Sequence, residues 1–308
     1  FGNGDDTLAF DTAVSGGLDF SNISNLENLN LSSGNDNITL SGDEPSNING
    51  GDGNDYFYSS IGADSIIGGN GADTLDFTNL TTTAGVNGTL TSFAFKVGGT
   101  AYTTTASGLE NFTGSSQNDT INGSSVANVL NGGAGDDTID GKAGNDVING
   151  GAGNDILVGA GGADSLIGGT GNDTVSYATD SAGINVSLRN GNGIDGSEST
   201  DNYDSIENVL GSSSNDTIEG DSGNNILNGG AGTDTLTYES SSTGVTVNLS
   251  ITSQQNTVNE GLDTISNFEN LTGSLGSDSL TGDDNVNVIN GKSGNDYIVG
   301  GKGADSLY

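Results

Sequence analysis

The residues of this chain that could do chemistry are aspartates, and they recur every nine residues. Asp119, Asp137, Asp146, Asp155, Asp164 and Asp173 lie in a run of seven nine-residue units from Gly114 to Ser176, with Asn128 at the equivalent place of the second unit. Asp55, Asp64 and Asp73 hold that place in 50–76, Asp216 and Asp234 with Asn225 in 211–237, and Asp278, Asp296 and Asp305 with Asn287 in 273–308. Cysteine and histidine are absent, which removes disulfides, zinc and haem sites, and a histidine base. Oxygen is the ligand type on offer, and it selects hard cations such as Ca²⁺ or Mg²⁺.

Charge points the same way. Five Lys plus Arg against 41 Asp plus Glu give a net charge of −36, too acidic for a chain that seeks nucleic acid or inserts at an anionic membrane surface. Its natural small partner is a cation. No apolar run approaches the roughly 20 residues that span a bilayer. An acidic chain with 54 glycines and few aromatics suggests disorder, but glycines and aspartates that recur in register argue for a repeat fold. The chain contains no Met, shows no signal peptide, and both begins (Phe1-Gly2-Asn3-Gly4) and ends (Tyr308) inside a repeat. It is therefore read as a piece of a longer one.

Each unit has two physical parts. Its first six residues are Gly-rich and end in Asp, as in Gly132 to Asp137, and suit a tight turn with φ > 0. Its last three place one aliphatic residue between two polar or small ones, as in Thr138-Ile139-Asp140, the alternation of a short strand with one buried face. One unit reverses the chain, so two close a coil of 18 residues. Stacked coils form parallel sheets with strands about 4.8 Å apart. Ile121, Leu130, Ile139, Ile148, Leu157, Leu166 and Val175 are expected to fill a narrow interior.

The units GGAGDDTID, GGAGNDILV, GGNGADTLD and GGTGNDTVS resemble the RTX family, whose nonapeptide is GGxGxDxUx with U a large aliphatic residue. That resemblance implies an all-β, right-handed parallel β-roll or β-solenoid that folds on binding Ca²⁺ outside the cell, in a protein exported by type I secretion.

The energetics call for a metal independently. One buried Leu or Ile per unit contributes about 2 to 3 kcal/mol, while ordering each residue of the unit costs on the order of 1 to 2 kcal/mol. Carboxylates stacked at coil spacing repel by about 3 kcal/mol per neighbouring pair at an effective dielectric near 20. Aspartates 18 residues apart, such as Asp55 with Asp73, Asp216 with Asp234 and Asp278 with Asp296, are expected to share an ion. Turn carbonyls such as those of Gly132, Gly133, Gly150, Gly151, Gly168 and Gly169 complete the shell. Binding several Ca²⁺ ions then becomes folding free energy. Asn128, Asn225 and Asn287 lack the charge and, with Asp64, are weaker positions; Asp6 and Asp36 stand outside a continuous array.

The segment boundaries follow the period. A degenerate repeat and first insert cover 1–49, repeat arrays cover 50–76, 114–176, 211–237 and 273–308, and inserts cover 77–113, 177–210 and 238–272, all as one continuous solenoid. Arrays end in an aromatic (Phe10, Phe77, Tyr177, Tyr238) and resume after a Glu-Asn motif containing Glu27, Glu110, Glu207 or Glu269. Those glutamates are read as structural hydrogen-bonding groups rather than ligands or a catalytic pair. Inserts alternate apolar and polar residues in Ile184 to Leu188 and Val245 to Leu249 and are read as longer strands, rungs of the solenoid without calcium loops. The alternative is a partner-binding face at 77–107 carrying Phe93, Phe95 and Tyr102. Arg189, the sole arginine, is read as a surface residue.

No nucleophile stands beside a base and no carboxylate pair is set apart from the repeats. The expectation is a non-enzymatic, calcium-loaded region of an extracellular or cell-surface protein, an S-layer or matrix subunit that assembles with copies of itself in a lattice or filament, without nucleic-acid binding or membrane insertion. The alternatives are an RTX adhesin extender and the C-terminal RTX region of a secreted hydrolase. Ice binding needs threonine repeated at the third position, which holds Thr170 once but Ala134, Ala143, Ala152 and Gly161 elsewhere.

Overall fold

Three residues between two glycine-rich turns leave room for only a very short strand, and that is what forms. The computed structural model describes residues 7–9, 27–31, 33–39, 46–59 and 61–308. Every regular element among them is a strand, most of three residues. They belong to two compact units, one within 1–156 with 169–171 and the other 157–168 with 172–308. Phe10 and Asp6 lie outside the described residues.

The first unit is a β-roll of two sheets between which the chain alternates. One sheet runs Thr7–Ala9, Asn28–Asn30, Asn47–Asp52 and Ser65–Asn70, then through an insert to Thr120–Asn122 and Thr138–Asp140. The other runs Asn37–Thr39, Tyr56–Tyr58, Thr74–Asp76, Asn111–Thr113, Val129–Ala134 and Val147–Ala152. Within arrays the strands pair in parallel at an offset of 18 residues, Ile48 with Ile66, Phe57 with Leu75, Ile121 with Ile139 and Leu130 with Ile148. The central residue of each strand points inward: Ile121, Leu130, Ile139 and Ile148 are all 0% exposed.

The second unit repeats this arrangement. Thr174–Ser176, Asn208–Leu210, Ile226–Asn228 and Leu262–Ser266 are neighbours in one sheet, and Thr217–Glu219, Thr235–Thr237, Asn270–Thr272 and Val288–Asn290 in another. Leu157, Leu166 and Val175 are fully buried as well, so all seven expected interior positions are core.

The inserts differ from the sequence expectation. Those at 77–113, 177–210 and 238–272, taken in that order, are each an antiparallel three-stranded meander placed where a regular coil contributes one parallel strand. In the first, Ala84–Thr89, Ser92–Val97 and Thr100–Ser107 pair antiparallel in order, while the outer strands pair in parallel with Thr120–Asn122 and Ser65–Asn70. Asn185–Ser187, Asn192–Ile194 and Thr200–Asp204 form the second. In the third, Gln255–Asn256 pairs antiparallel with Leu262–Ser266, and the Thr246 N–H, on strand Thr246–Asn248, donates to the Thr257 carbonyl at 3.1 Å. An odd number of antiparallel strands returns the chain in its original direction, so the roll resumes in phase. Strands Asn185–Ser187 and Thr246–Asn248 are short rather than long.

The aromatic residues of the first insert are core. Phe93 and Phe95 are buried, and Phe93 stacks on Phe112 with ring centroids 4.4 Å apart and packs on Phe77 at 5.9 Å. Arg189 is likewise no isolated surface residue. Its guanidinium pairs with Glu260, which is 2% exposed at the side chain, and lies 3.9 Å from Glu219.

Candidate metal centre

Each strand of the arrays follows the sixth residue of its unit, and that position builds a ladder. The N–H of one such residue donates to Oδ1 of the aspartate one coil later: Asp55 to Asp73 at 2.8 Å, Asp119 to Asp137 at 2.7 Å, Asn128 to Asp146 and Asp137 to Asp155 at 2.8 Å. Asp216 donates to Asp234 at 2.8 Å, Asp278 to Asp296 and Asn287 to Asp305 at 3.0 Å. The 18-residue pairing expected for ion sharing is thus also a hydrogen-bond register. Asp36 joins the ladder through Asp55, and Asp64 accepts from Ser46 at 3.1 Å.

Where an array ends, the Glu-Asn motif keeps the ladder intact. Oε2 of Glu110 accepts from the Asp73 N–H at 3.0 Å, Glu207 from Asp173 and Glu269 from Asp234 at 2.8 Å. The structural reading of these glutamates holds. Their extra methylene reaches across the point where the insert has displaced the regular turn.

Two ladder members were invisible to periodicity. Asp201 accepts from the Asp164 N–H at 3.0 Å and from the Tyr177 hydroxyl at 2.9 Å, and Asp263 accepts from the Asn225 N–H at 2.9 Å and the Thr257 hydroxyl at 2.7 Å. Both lie six residues before a motif glutamate, at the place that Thr104 holds before Glu110, and that offset is the signal that could have found them. A second ladder, at the fifth position, also went unread. Oδ1 of Asn54, Asn118 and Asn215 accepts from the N–H 18 residues later, at Ala72, Asp136 and Thr233 (2.9 to 3.0 Å).

The other carboxylate oxygen tests the fit of a cation. Oδ2 of Asp55, Asp73, Asp137 and Asp234 is buried without a hydrogen-bond partner, and each of these residues is at most 1% exposed. A buried carboxylate oxygen with no donor costs several kcal/mol unless a positive charge meets it. Burial pushes Asp137 up to about 8, opposed by the N–H it accepts from Asp119 and reinforced by the charges of Asp119, Asp155 and Asp136. Asp73 and Asp234 are pushed up to about 6, again chiefly by burial. These groups resist carrying a charge unless a cation accompanies it.

Carbonyl oxygens stand beside them because the first residue of the unit has no side chain. A Cβ on Gly132 would lie 2.2 Å from Asp137 Oδ2 and 2.6 Å from the Gly150 carbonyl oxygen; on Gly50 it would lie 2.1 Å from Asp55 Oδ2 and 2.6 Å from that of Gly68. At Gly168 the same point lies 2.6 Å from Asp173 Oδ2. The second glycines stack likewise, with the Gly133 carbonyl 2.2 Å from the Cβ position of Gly151 and the Gly151 carbonyl 2.1 Å from that of Gly169. Carboxylate and carbonyl oxygens of successive coils therefore gather at positions that only glycine leaves open. Among the described residues no three acidic side chains converge, so a cation here needs backbone oxygen. An all-oxygen set of that kind fits Ca²⁺.

Asp119, Asp216 and Asp278 are placed in the same turns but differently bonded. Each accepts the hydroxyl of a serine four residues earlier, Ser115 at 2.9 Å, Ser212 at 2.7 Å and Ser274 at 2.6 Å. Asn128, Asn225 and Asn287 turn the amide nitrogen onto the carbonyl of the motif glutamate one coil before, Glu110, Glu207 and Glu269, at 2.8, 2.7 and 2.8 Å.

Compared with known families, the chain matches the RTX calcium-binding nonapeptide repeat (4 copies) over residues 46–77, 113–148, 141–175, 203–238 and 267–298, together just over half its length. No curated protein matches it.

Proposed function

Because the chain belongs to the RTX calcium-binding nonapeptide repeat family, we propose that it is the calcium-dependent structural region of a secreted bacterial cell-surface protein, an S-layer or extracellular-matrix subunit that folds and assembles as Ca²⁺ binds. The carrying observation is the buried, donor-free Oδ2 of Asp55, Asp73, Asp137 and Asp234 beside glycine carbonyls. Calcium, when bound, supplies the positive charge and accepts about six to eight oxygens. The repeat aspartates present those oxygens, hold the preceding coil's register through Oδ1, and exclude water by burial.

Export fits the chemistry, since calcium at the concentrations found outside cells suits a low-affinity, many-ion site and a chain of net charge −36 stays unfolded where calcium is scarce. The region is not an enzyme in this reading, because its carboxylates are absorbed by ladders and turns. The inserts support a structural role over a ligand-binding one, as Phe93 and Phe95 face the core.

Circular dichroism of the chain with calcium and with EDTA tests the calcium reading: β signal should appear only with calcium, and equal folding in EDTA would overturn it. Electron microscopy with calcium tests assembly. Ordered sheets or filaments support the surface-layer reading, and dispersed particles favour an adhesin extender or the tail of a secreted hydrolase.

A further inference from the structure

Two turn conformations occur along the arrays, and the second residue of the unit separates them. In the open turn that residue has a left-handed φ: 99° at Gly51, 123° at Gly69, 108° at Gly133, 96° at Gly230, 79° at Lys142 and 64° at Lys292. At Lys142, Gly230 and Lys292 the N–H bonds the side chain two residues earlier, Asp140 and Asn228 at 3.0 Å and Asn290 at 2.9 Å. The aspartate of the turn does not receive that N–H. Asp55, Asp73, Asp137 and Asp234, with their donor-free Oδ2, all follow such a residue.

In the closed turn the second residue is Ser115, Ser124, Ser212, Asp221, Ser274 or Asp283, none of which has a positive φ. The peptide is turned inward and its N–H bonds the sixth residue: Ser115 to Asp119 and Ser212 to Asp216 at 2.6 Å, Ser274 to Asp278 at 2.8 Å. The same bond runs to Asn128, Asn225 and Asn287 at 2.8 to 2.9 Å. The carbonyl of the second residue is occupied as well, since Ser115 and Ser212 accept from Ala134 and Ala231 at 3.3 Å and Asp283 from Lys302 at 3.2 Å. A hydroxyl, an N–H and an amide thus replace a cation at the oxygens that an open turn leaves for one.

Among the described residues the closed turns come as consecutive pairs, 114–119 with 123–128, 211–216 with 220–225, and 273–278 with 282–287. Each pair makes one full coil, and each follows a Glu-Asn motif. We infer that the second residue of the nonapeptide decides whether its turn takes calcium, so that the coil starting each of the arrays at 114, 211 and 273 is metal-free and Asp119, Asp216 and Asp278 are not calcium ligands. The inference rests on the calcium reading above and narrows it to the open turns.

Equilibrium dialysis of the whole 308-residue chain against buffered calcium, with folding followed by circular dichroism at saturation, provides the test. Asp137→Asn should lower bound calcium by at least one ion per chain, whereas Asp119→Asn should bind as many ions as the parent. Lys292→Ser leaves Asp296 in place but permits its turn to close, and should also lose an ion. Equal losses in Asp119→Asn and Asp137→Asn, or full calcium content in Lys292→Ser, would overturn the inference. If Asp137→Asn does not fold, Lys292→Ser decides. A parent chain that binds no calcium would instead overturn the functional reading.

Discussion

The N–H of Asp73 donates to Oε2 of Glu110 at 3.0 Å across 37 residues of sequence. That bond lets the roll skip an insert without losing register, and it recurs as Asp173 with Glu207 and Asp234 with Glu269. In each case the asparagine 18 residues after the glutamate clips the glutamate carbonyl through its amide. The clip explains why asparagine stands where the repeat prefers aspartate. A carboxylate there would face a carbonyl oxygen with no proton between them.

Replacing Glu110 with Ala should therefore strand a buried N–H and cost about 1 to 3 kcal/mol, while Glu110→Gln keeps an acceptor and most of the stability. Urea unfolding at saturating calcium separates the two. If Gln is as damaging as Ala, the glutamate acts through its charge and not through the ladder.

Asn128→Asp probes the other half of the clip. It removes the amide that donates to the Glu110 carbonyl and should destabilise the calcium-loaded chain by about 1 to 3 kcal/mol, even though it restores the repeat consensus. Unchanged stability, or an added calcium ion, would show that the position is a repeat site held back only by charge.

The sole arginine ties two inserts of the second unit together. Arg189 pairs with Glu260 and approaches Glu219, while Ser241 donates to Glu260 at 2.6 Å and Ser187 to Glu219 at 2.7 Å. Arg189→Met should leave two buried carboxylates without a cation and cost about 2 to 3 kcal/mol, reduced from a fully buried pair because the guanidinium is partly exposed. Adding Glu260→Gln should recover part of the loss. A double variant no more stable than Arg189→Met would show that the pair does not couple.

Acidity should act on Asp263, which burial pushes up to about 6, with the Asn225 N–H and Thr257 hydroxyl lowering it and the Asp221 charge raising it. The hydroxyl of Tyr238 is itself held well above the usual tyrosine range, chiefly by burial and then by the charges of Asp263 and Glu219. The folded value of Asp263 exceeds the unfolded value of about 3.9, so its protonated form contributes stability that is full below pH about 4 and lost as pH rises through about 6. Asp263→Asn should be more stable than the parent at pH about 7.5, by on the order of 1 to 2 kcal/mol, with the advantage gone near pH 4. Thermal unfolding of both proteins at the two pH values checks the sign. A parent that is the more stable at the higher pH reverses it.

Legibility divided along the line between local and non-local rules. Stacking makes each coil depend on its neighbour 18 residues away, so period alone located Ile139 in the core and Asp137 in the ladder. The inserts obey no period. Whether Ser92–Val97 runs parallel or antiparallel to its neighbours depends on tight turns such as that at Thr89 to Ser92, and alternation of apolar residues is the same in both cases. Asp201 and Asp263 were hidden for that reason. The state of a turn was hidden for a different one. Serine and glycine at the second position both read as turn residues, yet only the sign of φ tells whether the peptide N–H serves the aspartate or leaves it for a metal.

The insert at 77–113 sets a buried aromatic beside a half-buried one. Phe93 is 0% exposed and stacks on Phe112, a residue of the strand that resumes the roll, so the insert and the array share one core. Tyr102 packs on Phe95 with centroids 5.7 Å apart but keeps one side toward solvent. Phe93→Ala removes a ring from a filled interior and should cost about 3 to 5 kcal/mol, with the calcium-dependent β signal shifted to higher calcium because folding and binding are linked. Tyr102→Ala should move both by far less. A partner-binding face predicts the reverse, with Tyr102→Ala abolishing association while Phe93→Ala leaves the folding midpoint where it was, and a calcium titration followed by circular dichroism on the two variants reads the difference directly.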